Sequence, residues 1–259
     1  MRFVGPGHAL FAFGLAGLGA LSLGSGDFAY SWQPVPVGFP WREVLARMSG
    51  AVLLAGGLGM VLARTAKLSA LSITVYLLSC SVLLHGPPVV HAPRDVGAWL
   101  GLAENVVLFC GGWILFACLR RRGGGAGAGR LSGRGALVTA RILVGVSCLV
   151  LGLSHFVYTE VTAGMIPRWF PARLGLAYFT GTAHAAAGLG ILLSILPRMA
   201  ATLEAAMVSL FVLLLHLPGV IGEPGSRLQW TMLFVASALA GAFWLTAGTF
   251  REAPVSAGG

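Results

Sequence analysis

The sequence predicts an all-α protein: a polytopic membrane helix bundle of eight transmembrane helices, arranged as two parallel four-helix repeats. Three observations predict it. Hydrophobic residues make up 57% of the 259 positions and charged residues only 10%, against roughly 25% charged in a water-soluble domain. Eight apolar segments lie at about 8–26, 44–63, 67–86, 97–119, 136–156, 174–196, 200–221 and 227–249, most near the ~20 residues a helix needs to cross a bilayer. Finally, uncommon residues recur in one register. Gly50 and Gly181, Gly57 and Gly188, His85 and His216, Pro87 and Pro218, Trp99 and Trp230, and Trp113 and Trp244 all stand 131 positions apart.

The first segment follows Arg2 and has the look of a secretory leader. It is read instead as a retained helix, because the motif after it returns later. Asp27-Phe28-Ala29-Tyr30 answers His155-Phe156-Val157-Tyr158, and Pro36-Val37-Gly38-Phe39-Pro40 answers Pro167-Arg168-Trp169-Phe170-Pro171. A leader has no reason to resemble the first helix of a later repeat. The expected units are therefore 1–119, a linker at 120–135, a second unit at 136–250 and a tail at 251–259. An even number of helices per unit gives both the same orientation, hence a pseudo-twofold axis along the membrane normal.

The linker, RRRGGGAGAGRLSGRG, is basic and glycine-rich, the composition of a flexible spacer. No strand precedes its glycines and no Lys-Ser/Thr follows them, so it is not a phosphate loop. The net charge of +9 is assigned to basic loops facing anionic lipid, not to nucleic acid. Ten Lys and Arg fall on the side of the linker and the termini: Arg2, Arg64, Lys67, Arg120, Arg121, Arg122, Arg130, Arg134, Arg198 and Arg251. The opposite loops hold Arg42, Arg94, Arg168, Arg173 and Arg227, offset by acids. The positive-inside bias thus places both termini and the linker in the cytoplasm, and the aromatic loops outside. Cys80, Cys110, Cys118 and Cys148 lie in apolar runs without a CxxC pair, which argues against a dithiol redox centre.

Ionisable groups inside the bilayer are costly and mark candidate sites. Glu104, followed by Asn105, stands about 10 Å inside the fourth segment at 1.5 Å per residue. His184 falls near the middle of the sixth. His155 and His216 close the fifth and seventh segments on the outer side, and His85 closes the third. Trp169 and Phe170 sit in the outer loop, where amphipathic rings settle at the headgroup layer. These give a candidate ligand-binding set of His155, Trp169, Phe170, His184, His216 and Glu104. No metal site is assigned, because the histidines lack the i, i+3 or i, i+4 ligand spacing of a bundle site. No catalytic residue is assigned either. Arg47, Arg141 and Glu204 are read as structural, Glu204 as an acid favoured near a helix N-terminus.

The second unit resembles the DoxX family of bacterial membrane proteins. The resemblance rests on Gly152, Ser154, His155 and Phe156 at the end of its first helix, and on Ile166, Pro167, Trp169, Phe170 and Pro171 in the outer loop. Tyr178, Thr180, Gly181 and Gly188 on the next helix and the His216–Pro218 turn complete it. It covers about residues 136–250. The first unit is similar but divergent, with Asp27 and Gly38 where the family motif has His and Trp. The resemblance implies a four-helix bundle per unit, a bacterial cytoplasmic (inner) membrane location, and an accessory role in a quinone-linked redox system beside a membrane oxidoreductase partner. A quinone is the implied ligand. Two other functions compatible with the sequence are a non-enzymatic assembly or scaffolding partner and a small-solute transporter using Glu104.

Overall fold

The structure is a computed structural model and describes residues 5–122 and 129–250. Arg2, Arg251, linker residues 123–128 and the tail 251–259 lie outside the described residues. The described chain is all helical: α1 (Pro6–Ser25), α2 (Arg42–Val61), α3 (Ala66–His91), α4 (Val96–Arg122), α5 (Arg134–Val157), α6 (Thr159–Met165), α7 (Arg173–Leu192), α8 (Pro197–Gly222) and α9 (Arg227–Gly248). Seven of these, all but α6 and α7, are long and apolar enough to cross a membrane. The protein is thus a helical bundle with the composition of a membrane protein.

Packing follows a closed circuit in the order α2, α1, α9, α8, α7, α5, α4, α3, with α4 and α9 also touching across its middle. Two five-helix lobes share that central pair. Their sequences fit the position: Cys110, Ile114, Leu115 and Ala117 on α4 and Ala238, Ala240, Ala242 and Phe243 on α9 are all at most 1% exposed. By contrast Leu203, Leu210, Leu213 and Ile221 of α8 are each more than half exposed, as a helix facing lipid requires.

The third and seventh segments do not end at their histidines. Ser81–His85 and Val212–His216 are single π-helical turns, and each helix then resumes for six residues, as Gly86–His91 and Leu217–Gly222. Pro87 and Pro218 lack the N–H that an unbroken α-ladder would use. A shift to π register before them restarts the α-helix with proline in its first turn, where that N–H is not missed. His85 and His216 are therefore inside 26-residue helices rather than at their ends.

Other local geometry recurs at the 131-residue spacing. The residues after the two resumed helices, Ala92 and Glu223, have φ/ψ of −133/66° and −134/67°. Trp99 Nε1 donates to Pro93 O and Trp230 Nε1 to Pro224 O, both at 2.9 Å. Trp41 and Ala172, preceding α2 and α7, both sit in the left-handed region.

The expected match of Asp27 with His155 does not describe the packing. A Cβ added at Gly50 would meet Gly19 O at 3.0 Å and Ser22 Cβ at 3.1 Å; one at Gly181 would meet Gly152 O at 3.2 Å and His155 Cβ at 2.7 Å. In its helix contact His155 thus corresponds to Ser22, and the Asp27 motif lies in the loop that follows. The second half also carries α6 where a simple loop was expected.

Candidate functional site

The site begins with two glycines. Helices α5 and α7 approach so closely that a Cβ at Gly152 would lie 2.7 Å from Gly181 O. His155 and His184 each follow one of these glycines by three residues. Helical side chains lean toward their own N-terminus, and consecutive long helices here run in opposite directions. The two imidazoles therefore converge on the crossing point that the glycines leave open. Their ring centroids are 4.9 Å apart.

The turn from α7 to α8 spans residues 193–196. His184 stands eight residues before the end of α7 and Glu204 seven after the start of α8, so the hairpin sets them side by side. His184 Nδ1 lies 2.7 Å from Glu204 Oε1, with the side chains 3% and 0% exposed. Glu204 Oε2 is buried without a partner. Phe211 meets His184 edge-on, ring centroids 6.1 Å apart. Cys148, two turns along α5 from His155, is fully buried.

The tautomer at His155 follows from its partner. Its Nδ1 lies 2.9 Å from Leu151 O, and a carbonyl only accepts, so Nδ1 carries the proton. Nε2 of the neutral ring then offers a lone pair. The arrangement is a hydrogen-bond donor and acceptor set from three helices, held in an apolar interior where each polar contact is strengthened by low dielectric.

Glu204 is not merely an acid favoured near a helix start, as its position in the sequence suggests. It stands about two turns into α8, beyond the first turn where a helix N-terminus favours an acid, and its side chain points into the bundle against His184. The available signal was the pair of matched distances from the 193–196 turn.

The structure brings together two of the six predicted residues, His155 and His184. His216 lies twelve residues beyond Glu204 on α8, or roughly 18 Å at 1.5 Å per residue. Glu104, on α4, forms no hydrogen bond or ion pair with the described residues; its neighbour Asn105 donates to Leu77 O and Ser81 Oγ. Trp169 and Phe170 stack on each other at 4.0 Å in the loop before α7, Trp169 being 68% exposed. A groove of about 360 Å³ next to that loop is lined by Glu160, Ala163, Gly164, Ala172, Arg173 and Leu174, not by the histidines.

The first half has nothing titratable at the corresponding positions. Leu53 and Ile73, 131 residues before His184 and Glu204, are both 0% exposed. Nearby, Gln33 Nε2 donates to Ser49 Oγ at 3.0 Å and to Tyr76 Oη at 2.6 Å, tying α2 and α3 together. The His184–Glu204 pair thus has no counterpart at those two positions of the first half.

A domain family of unknown function, DUF8561, matches residues 144–221, a stretch that contains His155, His184 and Glu204 but is less than half of the chain. The matching family is not the DoxX family. No curated protein and no solved structure matches the chain.

Proposed function

We propose that the chain is an integral membrane protein of two four-helix units, crossing the bilayer eight times, and an auxiliary component of a quinone-linked redox system. Helix α7 would supply the eighth crossing. It has 20 residues, about 30 Å at 1.5 Å per residue, and packs between α5 and α8, both apolar spans. Duplication is supported by the paired π turns and tryptophan bonds at one spacing. Cytoplasmic termini are supported by the basic loops, and a bacterial inner-membrane location by the DoxX resemblance.

The observation that carries the functional reading is the buried His184–Glu204 pair with His155 against it. A reduced quinone head group is a flat, apolar ring bearing hydroxyls. His155 Nε2 suits one such hydroxyl as an acceptor, and histidine transfers protons at ordinary pH. On oxidation the O–H bond breaks, the proton passes to the imidazole nitrogen, and the electron leaves for a redox centre of the membrane oxidoreductase partner. Glu204 acts through His184, holding the ring and balancing positive charge on it.

The test is quinone extracted from the detergent-purified protein, together with binding of added quinol by parent and His155→Ala protein. Stoichiometric quinone in the parent and its loss in the variant are expected. A quinone-free parent that also fails to bind added quinol overturns the reading.

An assembly role is favoured by one separate observation, the exposed Trp169–Phe170 stack. Under that reading Trp169→Ala abolishes crosslinking to a single membrane partner and the histidines are dispensable.

A further inference from the structure

Between α3 and α4, away from the His184–Glu204 pair, two polar atoms are buried without a protein partner: His85 Nε2 and Asn105 Oδ1. His85 is 4% exposed and Asn105 0%. The Asn105 amide has already committed both hydrogens, to Leu77 O at 2.8 Å and to Ser81 Oγ at 2.6 Å. Its Oδ1 is left as an acceptor with nothing to accept from. Leaving such groups dry is costly, and native interiors nearly always satisfy them.

The two atoms belong to neighbouring levels of one helix contact. Ser81 and His85 are the first and last residues of the π turn in α3. On α4, Asn105 lies against Ser81, and Gly101, one turn away, lies against His85. A Cβ at Gly101 would come within 3.1 Å of His85 Nδ1.

We propose that His85 and Asn105 hold a single buried water molecule across this π turn. Water meets the chemistry of the site. It donates to Asn105 Oδ1 and either donates to or accepts from His85 Nε2, according to the histidine tautomer. Both residues are buried, and a water molecule is the smallest ligand that can both donate and accept. The site is peculiar to the first half, since the positions 131 residues after Gly101 and Asn105 are Met232 and Ala236. Its role is to complete the hydrogen bonding of the widened turn and fix α3 on the central helix α4, so that Pro87 is accommodated without a polar void.

An experimental structure of the full-length protein, at a resolution that shows ordered water, tests this first. Density for a solvent atom within hydrogen-bonding distance of both His85 Nε2 and Asn105 Oδ1 is expected. Empty space between them, or a protein partner on either atom, overturns the proposal. Thermodynamic coupling tests it independently, using unfolding of His85→Phe, Asn105→Leu and the double variant in detergent. A shared water makes the effect of His85→Phe on the unfolding equilibrium at least roughly threefold smaller in the Asn105→Leu background. Strict additivity contradicts the bridge, and where a variant fails to fold the density decides.

Discussion

Tyr158, at the end of α5, reaches the N-terminus of α4 in the other half of the chain, placing its hydroxyl 3.1 Å from Asp95 Oδ1 and 3.0 Å from the Gly97 amide. Asp27 and Arg227 make the reciprocal link, after α1 and at the start of α9. The Asp27 carboxylate meets Arg42 at 2.8 Å and Arg227 at 3.6 Å, and Arg227 also donates to Phe28 O at 3.0 Å. The two halves are therefore fastened twice at the same end, each time by the loop after a first helix and the start of a last one.

The fastenings differ in strength. Tyr158→Phe removes the hydroxyl from both partners and is expected to cost about 1 kcal/mol of stability. Asp27→Ala breaks a pair that is about one-third exposed, so its cost is smaller and falls further in high salt. Thermal unfolding in detergent at low and high ionic strength separates the two.

Gly181 is required by the approach of His155. Gly181→Ala forces the α5–α7 contact apart and should cost about 1–3 kcal/mol, the range for overpacking. Gly164→Ala, on α6 with nothing within 4 Å of the new Cβ, should stay within about 0.5 kcal/mol of the parent. The same unfolding measurement checks both, and quinol binding should fall only in the first.

The buried His184–Glu204 hydrogen bond should show the asymmetry between removing one partner and removing both. His184→Leu alone leaves the Glu204 carboxyl buried with no hydrogen-bond partner and is expected to destabilise by about 1–3 kcal/mol. Adding Glu204→Leu should recover most of that loss, since two apolar side chains satisfy one another where an unpaired carboxyl group cannot. Leu53 and Ile73, fully buried at the corresponding positions of the first half, are precedent for the doubly apolar arrangement. A double variant less stable than His184→Leu contradicts this account of the pair.

The long apolar segments and the spacing of 131 were legible because bilayer length and residue periodicity are properties of the chain alone. His184 was legible for the same reason, as a polar group too deep in an apolar run. Glu204 was not, because its meaning depends on the register of the α7–α8 hairpin, and a turn of four residues can set several. The π turns were hidden behind His-Gly-Pro and His-Leu-Pro, which read as helix ends until the register shift that accommodates proline is seen. His216 and Glu104 share the chemistry of the site but not its place, since composition does not say which face of a helix meets which neighbour. The echo of Asp27 and His155 was a resemblance of sequence, whereas the register of α1 against α2 is set by Gly19 and Gly50.

The proposed quinone site, with His155 as acceptor and the His184–Glu204 pair beside it, is tested most directly by a quinol titration of the parent protein against the His184→Leu/Glu204→Leu double variant. Both proteins should first be matched for thermal stability, so that a change in binding is not a change in folding. Saturable, one-to-one binding by the parent and its loss in the double variant are expected. Equal binding by the two, or none by the parent, would contradict the proposed site.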